Sequence, residues 1–144
     1  LVGFFEDEYK EQVKELEKCD IAHFYGFQSD PRPFYIEADC VVLPSYHEGM
    51  SNVILEAAAT GRPVITSNIP GCRESVENGK SGLLVEVKNK EMLYDAMKEM
   101  LHCSREEREQ MGQAGREKME REFRKEVVVE KTVQSLREDE KRDF

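Results

Sequence analysis

The sequence predicts an α/β fold: an open parallel sheet flanked by helices, followed by a C-terminal helical tail. Three observations carry that prediction. Short β-rich runs alternate with helical patterns as far as about residue 102, the rhythm of parallel βαβ units. Cys40-Val41-Val42-Leu43 is apolar without alternation, as a strand is when helices cover both faces of its sheet. From Ser104 the chain changes character, and residues 105–144 carry 11 basic and 12 acidic side chains. Interleaved charge of that density reads as solvated helix surface with i,i+4 pairs.

The elements follow in order. Leu1–Phe5 reads as the end of a strand that begins upstream, because the chain opens on apolar residues without an initiator Met. Asp7 to about Lys18 is a charged helix with Tyr9, Val13 and Leu16 on one face. Ile21–Tyr25 is expected as a second strand. Residues 26–30 form a loop, and Pro31 and Pro33 fit a loop or a first helical turn. A short helix then carries Phe34, Ile36 and Ala38. Cys40–Leu43 is the third strand, Pro44–Met50 a loop, and Ser51 to about Thr60 a helix closed by Gly61. Pro63–Thr66 is the fourth strand. Arg73–Glu77 is a turn or short helix, and Asn78-Gly79 is a turn signal. Gly82–Val85 is the fifth strand. Asn89 to about His102 is an amphipathic helix with Met92, Leu93, Ala96, Met97 and Met100 inward. Ser104 and Glu107 form a capping box that opens a long helix with Met111, Ala114 and Met119 on its apolar side. A last helix from about Phe123 carries Val127, Val128, Val129, Val133 and Leu136.

Composition excludes several functions. The net charge is −9 and the sequence pI 5.0. With no basic block, the chain does not read as a nucleic-acid binder, which needs clustered Lys and Arg for phosphates. No apolar run approaches the ~20 residues of a transmembrane helix. No signal peptide is read at the start, because the acidic run Glu6-Asp7-Glu8 follows the first apolar patch. Cys19, Cys40, Cys72 and Cys103 stand 21, 32 and 31 apart, with no C-x-x-C pair and no zinc pattern. They read as reduced thiols of a cytoplasmic protein.

Chemistry concentrates after the third strand, in Pro44-Ser45-Tyr46-His47-Glu48-Gly49-Met50-Ser51-Asn52-Val53-Ile54-Leu55-Glu56. Ligands of open parallel sheets bind outside the carboxyl ends of the strands. Free N–H groups around Ser51, Asn52 and Val53 at a helix start favour an anion such as a diphosphate, and Gly49 permits close backbone approach. Glu48 and Glu56 flank that position, and each carboxylate can accept two sugar hydroxyls. The same residues also read as an ordinary helix start, with Ser51 as cap and two acids balancing the dipole. His47-Glu48 is half of a zinc H-E-x-x-H helix, but position 51 is Ser, so no metal is expected. His47 reads as a rim residue, His23 and His102 as structural.

Ala38-Asp39-Cys40-Val41-Val42-Leu43-Pro44-Ser45, Glu48-Gly49, Glu56-Ala57 and Gly61-Arg62-Pro63-Val64-Ile65 together resemble the C-terminal domain of retaining GT-B-fold glycosyltransferases, family four. Glu48 and Glu56 match that family's Glu-x7-Glu motif. Pro70-Gly71-Cys72-Arg73-Glu74 and Asn78-Gly79-Lys80-Ser81-Gly82-Leu83-Leu84-Val85 look like its following loop and last strand. The resemblance covers about residues 1–123.

It implies a Rossmann-like sheet in the order 3-2-1-4-5-6, entered here at the second strand. Residues 1–104 would be the donor-binding domain without its first, central strand, and 105–144 a helical tail packing on it. Glu48 would be the catalytic position, at the donor sugar. Gly49, Met50, Ser51, Asn52 and Val53 would offer main-chain N–H groups to the sugar and diphosphate. Glu56 would hold the ribose, and Gly26 and Phe27 would border the nucleobase. The substrate would be a nucleotide sugar, UDP-linked, with no cofactor and no metal. The acceptor, a glycan or lipid-linked glycan, would bind through an N-terminal domain absent from this sequence. The intact enzyme would serve bacterial surface-polysaccharide synthesis in the cytoplasm, peripherally at the membrane, and the fragment alone would be inactive. Two departures accompany the match: the basic pair that clamps the diphosphate would lie ahead of residue 1, and Ser51 stands where many members have Gly. Outside the resemblance, the same βα outline leaves a non-catalytic receiver-like module, or a decayed α/β module, as alternatives.

Overall fold

The computed structural model describes residues 1–4 and 7–140. Phe5 and Glu6, at the end of the first expected strand and the start of the acidic run, lie outside the described residues, as does the end of the helical tail. The chain forms two compact units, Leu1–Phe34 and a second from Tyr35 onward.

In the first unit a 3-10 turn at Asp7–Tyr9 leads into helix α1 (Lys10–Lys18). The strands expected over Leu1–Phe5 and Ile21–Tyr25 do not form among the described residues. Residues 1–3 and 25–26 do lie side by side, with Tyr25 N donating to the Leu1 carbonyl and Gly3 N to the Gly26 carbonyl, both at 2.9 Å. Leu1 N also donates to the His23 carbonyl at 2.6 Å. A strand needs a repeating ladder, and here Gly3 N goes to Gly26 instead of Tyr25, whose carbonyl accepts from Gln28 Nε2 at 2.7 Å. Phe4 and Phe27 stack at 5.2 Å between centroids. Helix α2 spans Arg32–Glu37 with Pro33 in its first turn, so Ala38 falls just beyond it.

The second unit holds the sheet. Strands β1 (Val41–Leu43), β2 (Val64–Ser67) and β3 (Gly82–Val85) are parallel in the order β1-β2-β3. Val41 pairs with Val64, and Ile65 with Leu83. The central strand β2 is buried at every position, which explains why Val64 and Ile65 are both apolar. Helix α3 (Asn52–Ala59) covers one face, where Ile54 and Ala57 meet Val64, Cys72, Val76 and Tyr35. Helix α4 (Lys90–His102) covers the other, where Ala96 and Met100 meet Ile65, Leu83 and Val85. Met92 and Met97, expected inward, are 38% and 43% exposed. The covered stripe is narrower, and the Met92 sulfur instead accepts from Glu86 N at 3.3 Å.

Helix α5 (Arg105–Glu122) opens with both arms of the capping box formed. Glu107 N donates to Ser104 Oγ at 3.2 Å, and Ser104 N to Glu107 Oε2 at 2.7 Å. The face that α5 buries runs through Gly112, Gly115, Lys118 and Met119, while Ala114 is half-buried. Helix α6 (Lys125–Glu140) leaves Val128, Val129, Val133 and Leu136 exposed. No helix among the described residues is long and apolar enough to cross a membrane.

Candidate functional site

The segment singled out in the sequence folds as a strand, a loop and a helix start. Leu43 ends β1, and the loop to Met50 crosses the carboxyl edge of the sheet. Ser51 then stands at the N-cap of α3 in an extended conformation, φ −76° and ψ 108°. Its side chain makes no capping bond, although the residue is only 3% exposed. Among the described residues no side chain or carbonyl takes the N–H groups of Asn52 and Val53, so they keep their capacity to bind an anion. The reading of Ser51 as a side-chain cap is therefore not what the structure shows.

Glu48 is exposed on the loop, and its Oε1 accepts from Ser45 Oγ at 2.8 Å. Gly49, Met50, Asn52 and Val53 are exposed in the same stretch. Glu56 lies one turn into α3, where its Oε2 accepts from the buried Tyr35 phenol at 3.0 Å. Gly26 and Phe27 belong to the first unit, where Phe27 is exposed. His47 is exposed on the loop. Among the described residues no three His, Cys, Asp or Glu side chains gather to hold a metal ion.

Two residues that position this site were not singled out for it in the sequence. Tyr35 fixes one Glu56 oxygen from 21 positions away in the chain. Gly71 supports the acidic loop from beneath: a Cβ there would fall 1.5 Å from the Gly49 carbonyl oxygen and 2.8 Å from that of Glu48. Its own carbonyl accepts from Ser51 N at 3.4 Å, and its N–H donates to Glu74 Oε2 at 2.7 Å. The Pro70-Gly71 pair was the available signal, because Gly after Pro marks a tight turn.

Burial, then the bond to Glu56, pushes the Tyr35 phenol up from 10.0 to about 12. Burial likewise raises the Cys40 thiol from 9.0 to about 12. Both shifts favour the protonated form in the folded state. Above the ordinary values the unfolded chain binds fewer protons, so stability falls as pH rises from about 9 to about 12. The thermal midpoint should drop over that window, and Tyr35→Phe should flatten the part above pH 10. An unchanged pH profile in that variant would show that Tyr35 contributes nothing to the alkaline loss.

Comparison with known proteins places this arrangement. The family model of glycosyl transferases group 1 matches residues 1–118. This chain belongs to that family. The capsular polysaccharide biosynthesis glycosyltransferase CapM of Staphylococcus aureus is 33% identical over 102 residues, covering 71% of this chain and 27% of CapM. The lipopolysaccharide core biosynthesis glycosyltransferase LpsE of Rhizobium meliloti is 31% identical over 113 residues, covering 78% of this chain and 33% of LpsE. The chain thus spans about a quarter to a third of these curated relatives' length. Sucrose-phosphate synthase of Thermosynechococcus elongatus superposes with a TM-score of 0.79 at 27% identity, covering 96% of this chain and 37% of that one. Anabaena HepE in complex with UDP superposes at 0.80 with 22% identity, over 96% of this chain and 40% of that one, which shows a shared GT-B fold. Membership in the group 1 family also removes the receiver-like alternative.

Proposed function

We propose that this group 1 chain forms the nucleotide-sugar-binding part of a retaining glycosyltransferase of family four. The observation that carries the proposal is the α3 start: unpartnered N–H groups at Asn52 and Val53 beside the buried Ser51, with Glu48 before them and Glu56 after. A diphosphate is the anion suited to that terminus. Glu48 would grip sugar hydroxyls near the reacting carbon, and Gly49 to Val53 would bind the sugar and diphosphate through main-chain N–H groups. Glu56 would accept the ribose hydroxyls with the orientation that Tyr35 gives it, and Gly26 and Phe27 would border the base. The bound UDP of HepE supports a uridine nucleotide as the first one to test. Preorganised N–H donors aimed at a leaving diphosphate stabilise charge as the glycosidic bond breaks, and the proposal includes no metal.

Residues 1–104 would then be the donor-binding part and 105–144 the helical tail. Acting with an acceptor-binding domain, they would transfer a hexosyl group with retention to a glycan or lipid-linked glycan. The names of CapM and LpsE support surface-polysaccharide assembly as the setting, at the cytoplasmic side of a membrane.

Isothermal titration with UDP, GDP and their hexose conjugates tests the proposal on this chain and on a full-length enzyme that contains it. Saturable binding of one nucleotide series is expected. Glu56→Ala should weaken it about tenfold, the loss of one charge-assisted hydrogen bond. Glu48→Ala should change nucleotide affinity by less than about threefold while lowering turnover of the full-length enzyme by about 100-fold or more. Absence of binding to every nucleotide would leave the decayed module as the better reading.

A further inference from the structure

The first unit presents two aromatic rings to solvent. Phe4 is 85% exposed and Phe27 64% exposed, and their rings lie nearly parallel, 11° apart in plane with centroids 5.2 Å apart. Single exposed apolar residues are ordinary, but the backbone holds these two as a pair. The Gly3 N–H donates to the Gly26 carbonyl at 2.9 Å, and each of these glycines is followed directly by one of the two phenylalanines. Gly3 holds φ +124° and Gly26 φ +67°, conformations that glycine adopts readily and other residues rarely. Space does not select glycine at either position, because an added Cβ would meet nothing within 4 Å. What the two glycines supply is backbone direction, and that direction sets Phe4 beside Phe27.

Stacking covers part of each ring and leaves Phe4 the more open of the two. An open aromatic face suits a second flat π-system, which gains both apolar burial and an offset stack.

We infer that the Phe4–Phe27 pair is a stacking platform for a nucleobase, with Phe4 as its contact residue. Resting on the donor-binding reading above, the base is that of the nucleotide sugar, and Phe4 joins Phe27 there as a residue that sets affinity. A ring face carries no pattern of donors and acceptors, so the platform strengthens binding of every base and leaves the choice of base to groups at its edge.

NMR titration of the chain and of its Phe4→Leu and Phe4→Tyr variants tests this, with UDP, GDP and unphosphorylated uridine, guanosine and adenosine as probes. The base protons of the tighter of UDP and GDP should move upfield, the signature of a base over a ring, and all three nucleosides should shift the Phe4 ring protons. Phe4→Leu should weaken that nucleotide about tenfold, the loss of one base stack, and Phe4→Tyr by less than about twofold because it keeps the ring. The thermal midpoint should stay within about 2 °C in both variants, as for substitutions at an exposed position. A nucleotide that moves the Asn52 and Val53 amides yet binds Phe4→Leu as tightly as the unaltered chain would overturn the inference and spare the donor reading. So would equal weakening by both substitutions, or Phe4 ring protons that no nucleoside moves. D-Glucose that shifts those protons where the nucleosides do not would give the platform to a sugar, and overturn it as well. Nucleoside shifts at Phe4, with Asn52 and Val53 unmoved by either nucleotide, would keep the platform and sink the donor reading.

Discussion

Gly71→Ala is expected to weaken this group 1 chain's nucleotide affinity by about 10- to 100-fold, the equivalent of losing one charge-assisted hydrogen bond. The residue contacts no ligand in the proposed site, so its effect must pass through the loop it supports. An added methyl would stand 1.5 Å from the Gly49 carbonyl oxygen and 2.6 Å from its carbon, distances that backbone atoms cannot accept without moving. Position 71 also sits at φ +87°, where a side chain costs about 1–2 kcal/mol. Both strains are relieved by displacing Glu48–Ser51 from the start of α3, the stretch proposed to meet sugar and diphosphate. Titration with UDP should therefore show the loss, while circular dichroism keeps its helical signal because α3, α4 and α5 are packed elsewhere. Wild-type UDP affinity in the folded variant would remove Gly71 from the site.

Gly112→Ala should lower stability by about 2–3 kcal/mol, a fall in thermal midpoint of about 5–10 °C. On an exposed helix the same change would stabilise by about 1 kcal/mol through propensity, so the sign itself is diagnostic. The reason is contact: a Cβ at position 112 would lie 1.9 Å from the Gly61 carbonyl oxygen, where α5 crosses the turn that ends α3. Gly115 provides the comparison one helical turn further on. Its Cβ would meet Ala58 Cβ at 3.5 Å and Ser81 Cβ at 3.6 Å, ordinary van der Waals contact. Gly115→Ala should thus be neutral or stabilising by up to about 1 kcal/mol. Equal destabilisation by both substitutions would locate the effect in the helix and not in its seat on Gly61.

The parts of this fold that the sequence made legible are those set by local rules. The third, fourth and fifth expected strands correspond to β1, β2 and β3, with boundaries within one residue, because each is a short apolar run between turn residues. The capping box of α5 was equally readable, since both of its bonds join residues three positions apart. The first two expected strands failed for a reason outside local propensity: the Tyr25 carbonyl is taken by the Gln28 side chain, and Gly3 N goes to Gly26 instead, so the pairing does not repeat. Helix periodicity overestimated the inward face of α4, because its sheet offers cover to Ala96 and Met100 but not to Met97.

For the site, the sequence by itself determined the family-bearing order Glu48, Gly49, the α3 start and Glu56, all within one strand-loop-helix. Only the tertiary structure decided what supports and surrounds that order. Tyr35 reaches Glu56 across 21 positions, and the Gly71 loop seats against Gly49. Ser51, which the sequence offered as a cap, is buried without capping. Local rules read hydrogen bonds and side-chain faces along one element. They carry no information on which backbones approach closely enough to exclude a methyl group.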